Sequence, residues 1–213
     1  MTTSMRTKTA ARAAAAAVLT ALSLTSDVAA TPRTFMVEPD RSRALIDVGK
    51  TGAFSFAGHT HEVEAPITSG VINLDSDDPS HGDVRLEFNA AAMHLTGKGE
   101  PADDVPKVTA AMLGEMVLDV KRYPGITFES TRVSGKPSGT GFDLSVTGRL
   151  TIRGTTQTVT APVAVQIAAD RLTATGKFVI KQTDYGIMPI SVGGVVKVKN
   201  ELTISFTVTA RER

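Results

Sequence analysis

The sequence contains no cysteine and no tryptophan, and only 5% of its residues are aromatic. Without cysteine, the chain forms no disulfide, builds no cysteine-ligated metal site and carries no lipid on a cysteine side chain. Its 23 basic and 22 acidic residues nearly cancel, which gives a formal net charge of +1. This balance argues against nucleic acid as a partner, because proteins that bind it usually have a strong excess of Lys and Arg.

Motifs for catalysis and cofactor binding are also missing. The chain has no GxSxG sequence, no glycine-rich phosphate loop and no carboxylate pair arranged as in glycosidases. We therefore expect neither enzymatic activity nor a cofactor. Beyond the N-terminal region no polybasic segment is present to hold the protein on anionic lipid, so we do not expect stable membrane insertion either.

The N-terminal region differs from the rest of the chain. Three basic residues precede an Ala-rich apolar stretch from Ala13 to Leu24, and small residues follow as far as Ala30. This stretch is too short to span a bilayer, and its flanks are typical of a secretory signal. We predict a signal peptide over residues 1–30 and one domain over 31–213, located in the periplasm or secreted. The alternative is that the Ala-rich stretch is a helix of the folded domain.

The remainder of the chain is dominated by apolar and polar residues that alternate. In the stretch Phe142–Ile152 every second residue is apolar except Gly148, which places the apolar side chains on one face of a strand. After a predicted turn over Gly154–Thr156, the alternation resumes from Val159 to Ile167. The pattern therefore predicts two strands joined as a β-hairpin.

Comparable alternation recurs from Phe35 to Ala210, and Gly, Pro and Asp separate the runs. Short strands with such separators are typical of an antiparallel sandwich or barrel. The last run, from Val196 to Ala210, is long enough to need neighbours on both sides. Closing the sheet into a barrel would leave no edge exposed to aggregation, which favours the barrel.

One segment has a helical period instead. Apolar residues from Val108 to Val120 recur at intervals of three and four, after Asp103, Asp104 and an early proline. This pattern predicts a short helix with Gly114 in its middle. A single helix among strands suggests a lid on the sheet.

Five pieces of the sequence, taken in order and at their spacing, resemble the YceI-like family, and the resemblance covers Phe35 to Ala210. They are GHTH at Gly58–His61, GVINLD at Gly70–Asp75, VLDVKRYPGITFES at Val117–Ser130, GRLTIRGTTQTVTAPV at Gly148–Val163 and TDYGI at Thr183–Ile187. The resemblance implies an all-β fold, a lipocalin-like antiparallel β-barrel of about eight strands with one short α-helix after the first half. It also implies an exported, non-enzymatic protein that binds polyisoprenoids or related amphiphilic lipids.

The helix region departs from the family pattern. Many members carry an HL pair and a phenylalanine pair there, whereas this chain reads AAMLGEMVLDV. The departure leaves the identity of the ligand open. Because methionine is flexible, a Met-lined helix suits a plastic apolar site.

The inward parity of the strands defines the candidate ligand-binding residues. Each CH₂ group that a lipid tail buries gains about 0.8 kcal/mol, so an apolar lining is sufficient to sequester or carry a long-chain lipid in the lumen. Small residues at Ala161, Ala174 and Gly176 favour such a cavity. The predicted lining is Phe54, Phe56, Leu86, Phe88, Met112, Phe128, Phe142, Leu144, Val146, Leu150, Val163, Val165, Phe178, Ile180, Leu202, Ile204 and Phe206.

Two alternatives remain open. In the first, the same side chains meet and fill the barrel, which would make it a stress-related structural protein. In the second, His59 and His61, two residues apart on one strand face, belong to a metal-binding or hydrolytic site. Further ligands for that site would be Glu62, Glu64, His81 and His94.

The chain has no HExxH motif and no third spaced histidine, so we predict no metal site and place the two histidines at the surface or the barrel mouth. Contact with a lipid head group, or gating of the mouth, is a further hypothesis for them. The sequence is compatible with a homodimer as well as with a monomer.

Overall fold

The computed structural model describes residues 1–2, 32–51, 60–192 and 196–213. The predicted signal peptide beyond residue 2 lies outside these ranges, as do Phe54, Phe56 and His59. No helix within the described ranges combines the length and the apolarity that crossing a bilayer requires.

The described chain forms twelve strands and one α-helix. Short 3₁₀ turns lie at Pro39–Arg41, Pro79–His81, Ala90–Ala92 and Gln182–Tyr185. In chain order the elements are β1 (Arg33–Val37), β2 (Arg43–Thr51), β3 (His61–Glu64), β4 (Ile67–Leu74), β5 (Asp83–Asn89), β6 (His94–Leu95), α1 (Val105–Leu113), β7 (Gly125–Ser138), β8 (Gly141–Ile152), β9 (Thr155–Ala168), β10 (Arg171–Lys181), β11 (Ser191–Val192) and β12 (Val196–Glu212).

Eight of these strands form a closed antiparallel barrel. The order around the barrel is β1, β4, β5, β7, β8, β9, β10 and β12, and β12 pairs back onto β1. Closure gives every strand of the ring two hydrogen-bonded neighbours, which is how a barrel removes exposed sheet edges. The predicted all-β barrel of about eight strands with one helix is confirmed.

Along one edge, the long strand β12 pairs with two different strands. Its C-terminal part, Ala210–Glu212, pairs with β1, whereas Leu202–Thr207 pairs with β2. From β2 the sheet continues through β3 to β6, and α1 packs against β6. The barrel therefore has two different ends. We call them the β1 end, where β1 closes the ring, and the helix end, where β2, β3, β6 and α1 form the wall.

The hairpin between β8 and β9 turns at Arg153–Gly154. Both residues have positive φ, +50° and +73°, as in the two-residue turns that match the twist of paired strands. Thr155 and Thr156 already pair with Ile152 and Thr151. The predicted turn over Gly154–Thr156 is therefore misplaced, because the turn lies at Arg153–Gly154 and the strand begins at Thr155. Arginine rarely adopts positive φ, so the sequence gives little sign that Arg153 occupies the first turn position.

The helix is shorter than its apolar period predicts. It ends at Leu113, and Gly114 caps it with an extended backbone, ψ 172°. Glycine costs about 1 kcal/mol relative to alanine inside a helix, so the helix ends where the prediction placed its middle. The following residues form turns that include Asp119 at φ +46°. As a result Met116, a member of the predicted helical period, is 76% exposed, whereas Leu118 is buried.

The predicted inward parity of the hairpin strands is confirmed. The polar residues of β8 alternate with buried apolar ones, and β9 follows the same rule on the neighbouring strand. The buried set in these two strands includes Phe142, Leu144, Val146, Leu150, Ile152, Ala161, Val163 and Val165.

Candidate functional site

A cavity of about 470 Å³ lies inside the barrel. Its wall takes side chains from every strand of the ring except β1, together with β2, β3, β6 and α1. Ligand pockets in proteins typically measure about 300–1,000 Å³, so this space is large enough for a small lipid. The barrel is therefore hollow above the β1 end, and the alternative of a barrel filled by its own side chains does not hold.

Most of the predicted lining residues do lie on the cavity wall. They come from strands whose alternation points one residue in two toward the barrel axis. Phe54 and Phe56 fall outside the described residues. The predicted residues on the wall are Leu86, Phe88, Met112, Phe128, Leu144, Val146, Leu150, Val163, Val165, Phe178, Ile180, Leu202, Ile204 and Phe206.

Phe142 is an exception to the predicted lining. Its side chain is buried, but it packs in the cluster that includes Phe35 and Ala210 and does not reach the cavity. These three residues belong to the apolar floor at the β1 end. Parity decides which face of a strand a side chain occupies, but it does not decide how far along the barrel axis the side chain lies.

The small inward residues have two different roles. Ala161 and Ala174 line the cavity, as predicted. Gly176 does not, because a Cβ atom at this position would lie 2.5 Å from the ring of Phe206 on the paired strand. The prediction that Gly176 opens the lumen is therefore wrong. Its missing side chain makes room for an aromatic ring of the protein itself.

Sequence reasoning missed the part of the wall at the helix end. Ala44, Ile46 and Val48 line the cavity from β2, and their alternation was visible in the sequence. Leu118 and Ile187 line it from irregular segments, where no period indicates which side chain turns inward. The residues that could not be identified from pattern are thus concentrated at the helix end.

The segments at the helix end are tied together by Arg153. Its guanidinium donates to the backbone oxygens of Gly186 and Glu115, each at 2.9 Å. The hairpin turn thereby joins the turn after α1 to the loop after β10. From α1, Val108, Ala111 and Met112 face the cavity, so the helix covers this end as the predicted lid does.

Two polar side chains on the wall come from the 3₁₀ turn Gln182–Tyr185. The Gln182 amide donates to the backbone oxygen of Lys199 at 2.7 Å. The hydroxyl of Tyr185 is buried and has no hydrogen-bond partner among the described residues. Burial, followed by the nearby Asp184 carboxylate, raises the pKa of Tyr185 to about 12. The phenol therefore remains neutral at physiological pH.

His61 is another polar residue on the wall. Its Nδ1 contacts the carboxylate of Glu100, a side chain that is only 2% exposed. Glu100 was not among the residues that the sequence singled out, although Gly97 and Gly99 indicate a tight loop just before it. The structure thus brings one of the two predicted histidines to the cavity, and a buried carboxylate lies behind its ring.

The remaining members of the hypothetical metal site lie apart and have other partners. Glu62 accepts hydrogen bonds from Thr96 and Lys98, and Glu64 pairs with Arg43. The other two histidines, His81 and His94, lie near Asp75 and Asp78 and near the backbone of Ala92 respectively. Within the part of the chain that the structure describes, no three His, Asp or Glu side chains form a group that could hold a metal ion.

Comparison with known proteins agrees with this architecture. The crystal structure of Burkholderia cenocepacia BcnA matches with a TM-score of 0.63 at 21% sequence identity, over 81% of this chain and 98% of that chain. A crystal structure of the Campylobacter jejuni YceI protein matches with a TM-score of 0.50 at 14% identity, over 77% and 84% of the two chains. At these identities the likeness shows a shared fold. A search of curated protein sequences found no match.

The sequence comparison is more direct. The model of the YceI-like domain matches residues 35–210, which is most of the chain. These residues include the closed barrel, the helix and the whole cavity wall. This chain belongs to the YceI-like domain family.

Proposed function

We propose that this protein is an exported binding protein that carries or stores a long-chain polyisoprenoid or similar amphiphilic lipid in the barrel cavity. The observation that carries the proposal is the cavity of about 470 Å³ with an almost entirely apolar wall. Such a wall offers a lipid tail a favourable environment, while it leaves a polar or charged substrate without hydrogen-bond partners.

The energetics of such binding need no strong polar contact. Each buried CH₂ contributes about 0.8 kcal/mol, so a five-carbon prenyl unit contributes about 3 to 4 kcal/mol before the costs of association are subtracted. A few units therefore suffice for micromolar or tighter binding. In the proposal the tail contacts the predicted lining residues that lie on the wall, such as Leu86, Phe128 and Phe206.

Plasticity of the wall also supports a lipid with a flexible tail. Met112 on α1 faces the cavity, and Met93 lines it between β5 and β6. Unbranched thioether side chains adapt to irregular shapes better than branched ones. The wall can therefore adjust to tails that bend differently.

Export remains part of the proposal. Its support is the N-terminal pattern of basic residues, a short apolar stretch and small residues ending at Ala30. A protein that stores lipid outside the cytoplasm gains from a closed barrel, because no sheet edge is left to pair with other chains.

The test is native mass spectrometry of the protein purified from its own cell envelope, followed by organic extraction of whatever dissociates. We expect a bound lipid whose mass fits an isoprenoid chain. The matched control is Ala161→Phe, which places a ring in the cavity and should abolish co-purification. A wild-type protein that is consistently empty, and that takes up no isoprenoid on addition, would refute the proposed function.

A further inference from the structure

We propose that His61 contacts the head group of the bound lipid, that Glu100 positions its ring, and that this head group carries a hydroxyl. This inference rests on the proposed function and specifies the chemistry of the lipid at the helix end. It would make His61 the residue that distinguishes a long-chain alcohol from the corresponding hydrocarbon.

The position of His61 is fixed by the sheet. It is the first residue of β3, pairs with Val48 of β2 and lines the cavity. Its side chain is 23% exposed, so the ring is not enclosed by protein on all sides. Nδ1 contacts Glu100, which does not line the cavity, and in this proposal the Nε2 side of the ring is the one that meets the ligand.

The loop that carries Glu100 is held against β3 by several contacts. The Thr96 amide donates to the Glu62 backbone oxygen at 2.9 Å, and the Thr96 hydroxyl donates to the Glu62 carboxylate at 3.0 Å. Gly97 and Gly99 have φ of +78° and +76°, a conformation that glycine adopts at no steric cost and that turns the loop back. The loop therefore positions Glu100 against His61.

A carboxylate withdrawn from water in this way needs a hydrogen-bond donor. His61 supplies it through Nδ1. A neutral imidazole has one N–H, so the carboxylate at Nδ1 keeps the proton there and leaves the lone pair of Nε2 as an acceptor. In this proposal Glu100 therefore sets both the tautomer and the orientation of the ring.

An acceptor at this place suits a hydroxyl donor on the ligand. A lipid alcohol buried in an apolar cavity loses its hydrogen bonds to water, and Nε2 replaces one of them. The other polar groups on this part of the wall are already engaged or buried: the Gln182 amide donates to Lys199, and the Tyr185 hydroxyl is enclosed. Lys107 is 74% exposed and pairs with Asp104 at 3.2 Å, which places its charge on the outer rim.

The charged groups around this site decide between a neutral and an anionic head group. Glu100 faces His61 directly, Glu62 and Lys98 pair beside it at 3.4 Å, and Lys107 lies across the loop on α1. This set holds two carboxylates and two ammonium groups, so it does not form a cationic pocket. The balance favours a neutral hydroxyl over a phosphate.

The test compares three ligands with the same tail: farnesol, farnesene and farnesyl phosphate. Affinities are measured at pH 7.5 by displacement of the uncharged dye N-phenyl-1-naphthylamine from the purified protein. We expect farnesol to bind about tenfold more tightly than farnesene, the size of one well-formed hydrogen bond to a buried group. The variant His61→Ala should lose this preference and retain the affinity for farnesene.

Two variants test Glu100: one keeps a side-chain oxygen at this position and the other does not. Glu100→Gln keeps an oxygen that accepts from Nδ1, so it should keep most of the preference for farnesol. Glu100→Ala leaves the ring without its partner and should lose it. The affinity for farnesene reports in each variant whether the cavity is intact, which a general structural defect would change.

The outcomes separate the two proposals. Equal binding of farnesol and farnesene by the wild type, or a preference that survives in His61→Ala, overturns this inference while the lipid-binding function stands. A preference for farnesyl phosphate that His61→Ala does not alter assigns the head group to Lys107 and also overturns it. If the wild type binds none of the three, the proposed function fails and this inference fails with it.

Discussion

The two ends of the barrel are built by different means. At the β1 end, regular strands close the ring and Phe35 and Ala210 are inaccessible to solvent. At the helix end, a short helix, turns and loops complete the wall, and Met116 and Met188 are exposed. The difference indicates that tight packing at one end stabilises the fold, while the other end is left adaptable for binding.

Removal of one aromatic ring from each end should give the largest change in stability and so tests this comparison most strongly. Phe35→Ala deletes a ring that is 0% exposed and should cost about 3–5 kcal/mol in the free energy of unfolding. Phe178→Ala deletes a ring that borders the cavity and already lacks neighbours on one side, so we expect about 1–2 kcal/mol. Urea denaturation followed by circular dichroism measures both.

Similar losses for the two phenylalanine variants would show that the two ends are equally well packed. Phe178 also packs edge-to-face on Phe206, with ring centroids 6.4 Å apart. The double variant with Phe206→Ala therefore serves as a control, because it reveals how much of the loss at position 178 belongs to this pair.

The converse test adds a ring at each end. Ala210→Phe forces extra volume into the filled β1 end and should destabilise the protein by about 1–3 kcal/mol. Ala161→Phe places the same volume in the cavity, so its stability should stay within about 1 kcal/mol of the wild type while lipid binding is lost. Thermal unfolding and dye displacement on the same samples measure the two effects. Destabilisation by Ala161→Phe as large as that by Ala210→Phe would contradict a hollow barrel.

The same difference between the ends explains what the sequence could predict. At the β1 end and along the hairpin, apolar and polar residues alternate with the two-residue period of a strand. The sequence therefore assigns side chains such as Leu144 and Val146 to the interior correctly. Alternation does not show how far along the barrel axis a side chain lies. Phe142 was consequently predicted to line a cavity that it does not reach.

At the helix end the sequence signals were weaker for physical reasons. The apolar period from Val108 to Val120 predicts one helix, whereas Gly114 ends it and the remaining apolar residues follow in turns. Glu100 reaches His61 through a loop whose course depends on Gly97 and Gly99. Contacts of that kind depend on tertiary structure, and no local pattern encodes them.

Alkaline pH should lower the stability of the fold through Tyr185. Its folded pKa of about 12 exceeds the ordinary value of 10.0, so above pH 10 the unfolded chain loses its phenolic proton while the folded protein keeps it. The unfolded state is then favoured, and stability falls between pH 10 and about 12 by at most about 1.4 kcal/mol per pH unit. Below pH 10 this contribution is fully present. Urea denaturation at a series of pH values measures the slope.

The matched variant is Tyr185→Phe, which removes the ionisable hydroxyl and keeps the ring. Because that hydroxyl is buried without a partner among the described residues, its removal should leave stability at pH 7 unchanged or raise it by up to about 1 kcal/mol. The variant should also show a shallower alkaline slope than the wild type. An unchanged slope would show that another group causes the loss.

The smallest expected effect concerns the ion pair that joins the two strands closing the ring. Arg33 donates to both oxygens of Glu212, at 2.9 Å and 2.6 Å, and the hydrogen bond from Arg33 holds the pKa of the Glu212 carboxyl below its usual range. A lowered folded pKa means that the pair stabilises the protein above the ordinary glutamate pKa and that this contribution is lost as pH falls through the folded value. Glu212→Gln should remove that acid sensitivity, which urea denaturation between pH 7 and pH 3 measures.

Glu129 provides the control for this pair, because it also lies between strands and its pKa is also lowered, by Arg149 and then Arg85. Both carboxylates are partly exposed, so neither substitution should change global stability by much. The two variants should differ in local opening. Glu212 faces Phe35 across the junction of β1 and β12, so Glu212→Gln should speed amide hydrogen exchange in β1, whereas Glu129→Gln should not. Equal exchange rates in β1 for the two variants would mean that apolar packing around Phe35, without the ion pair, keeps the ring closed.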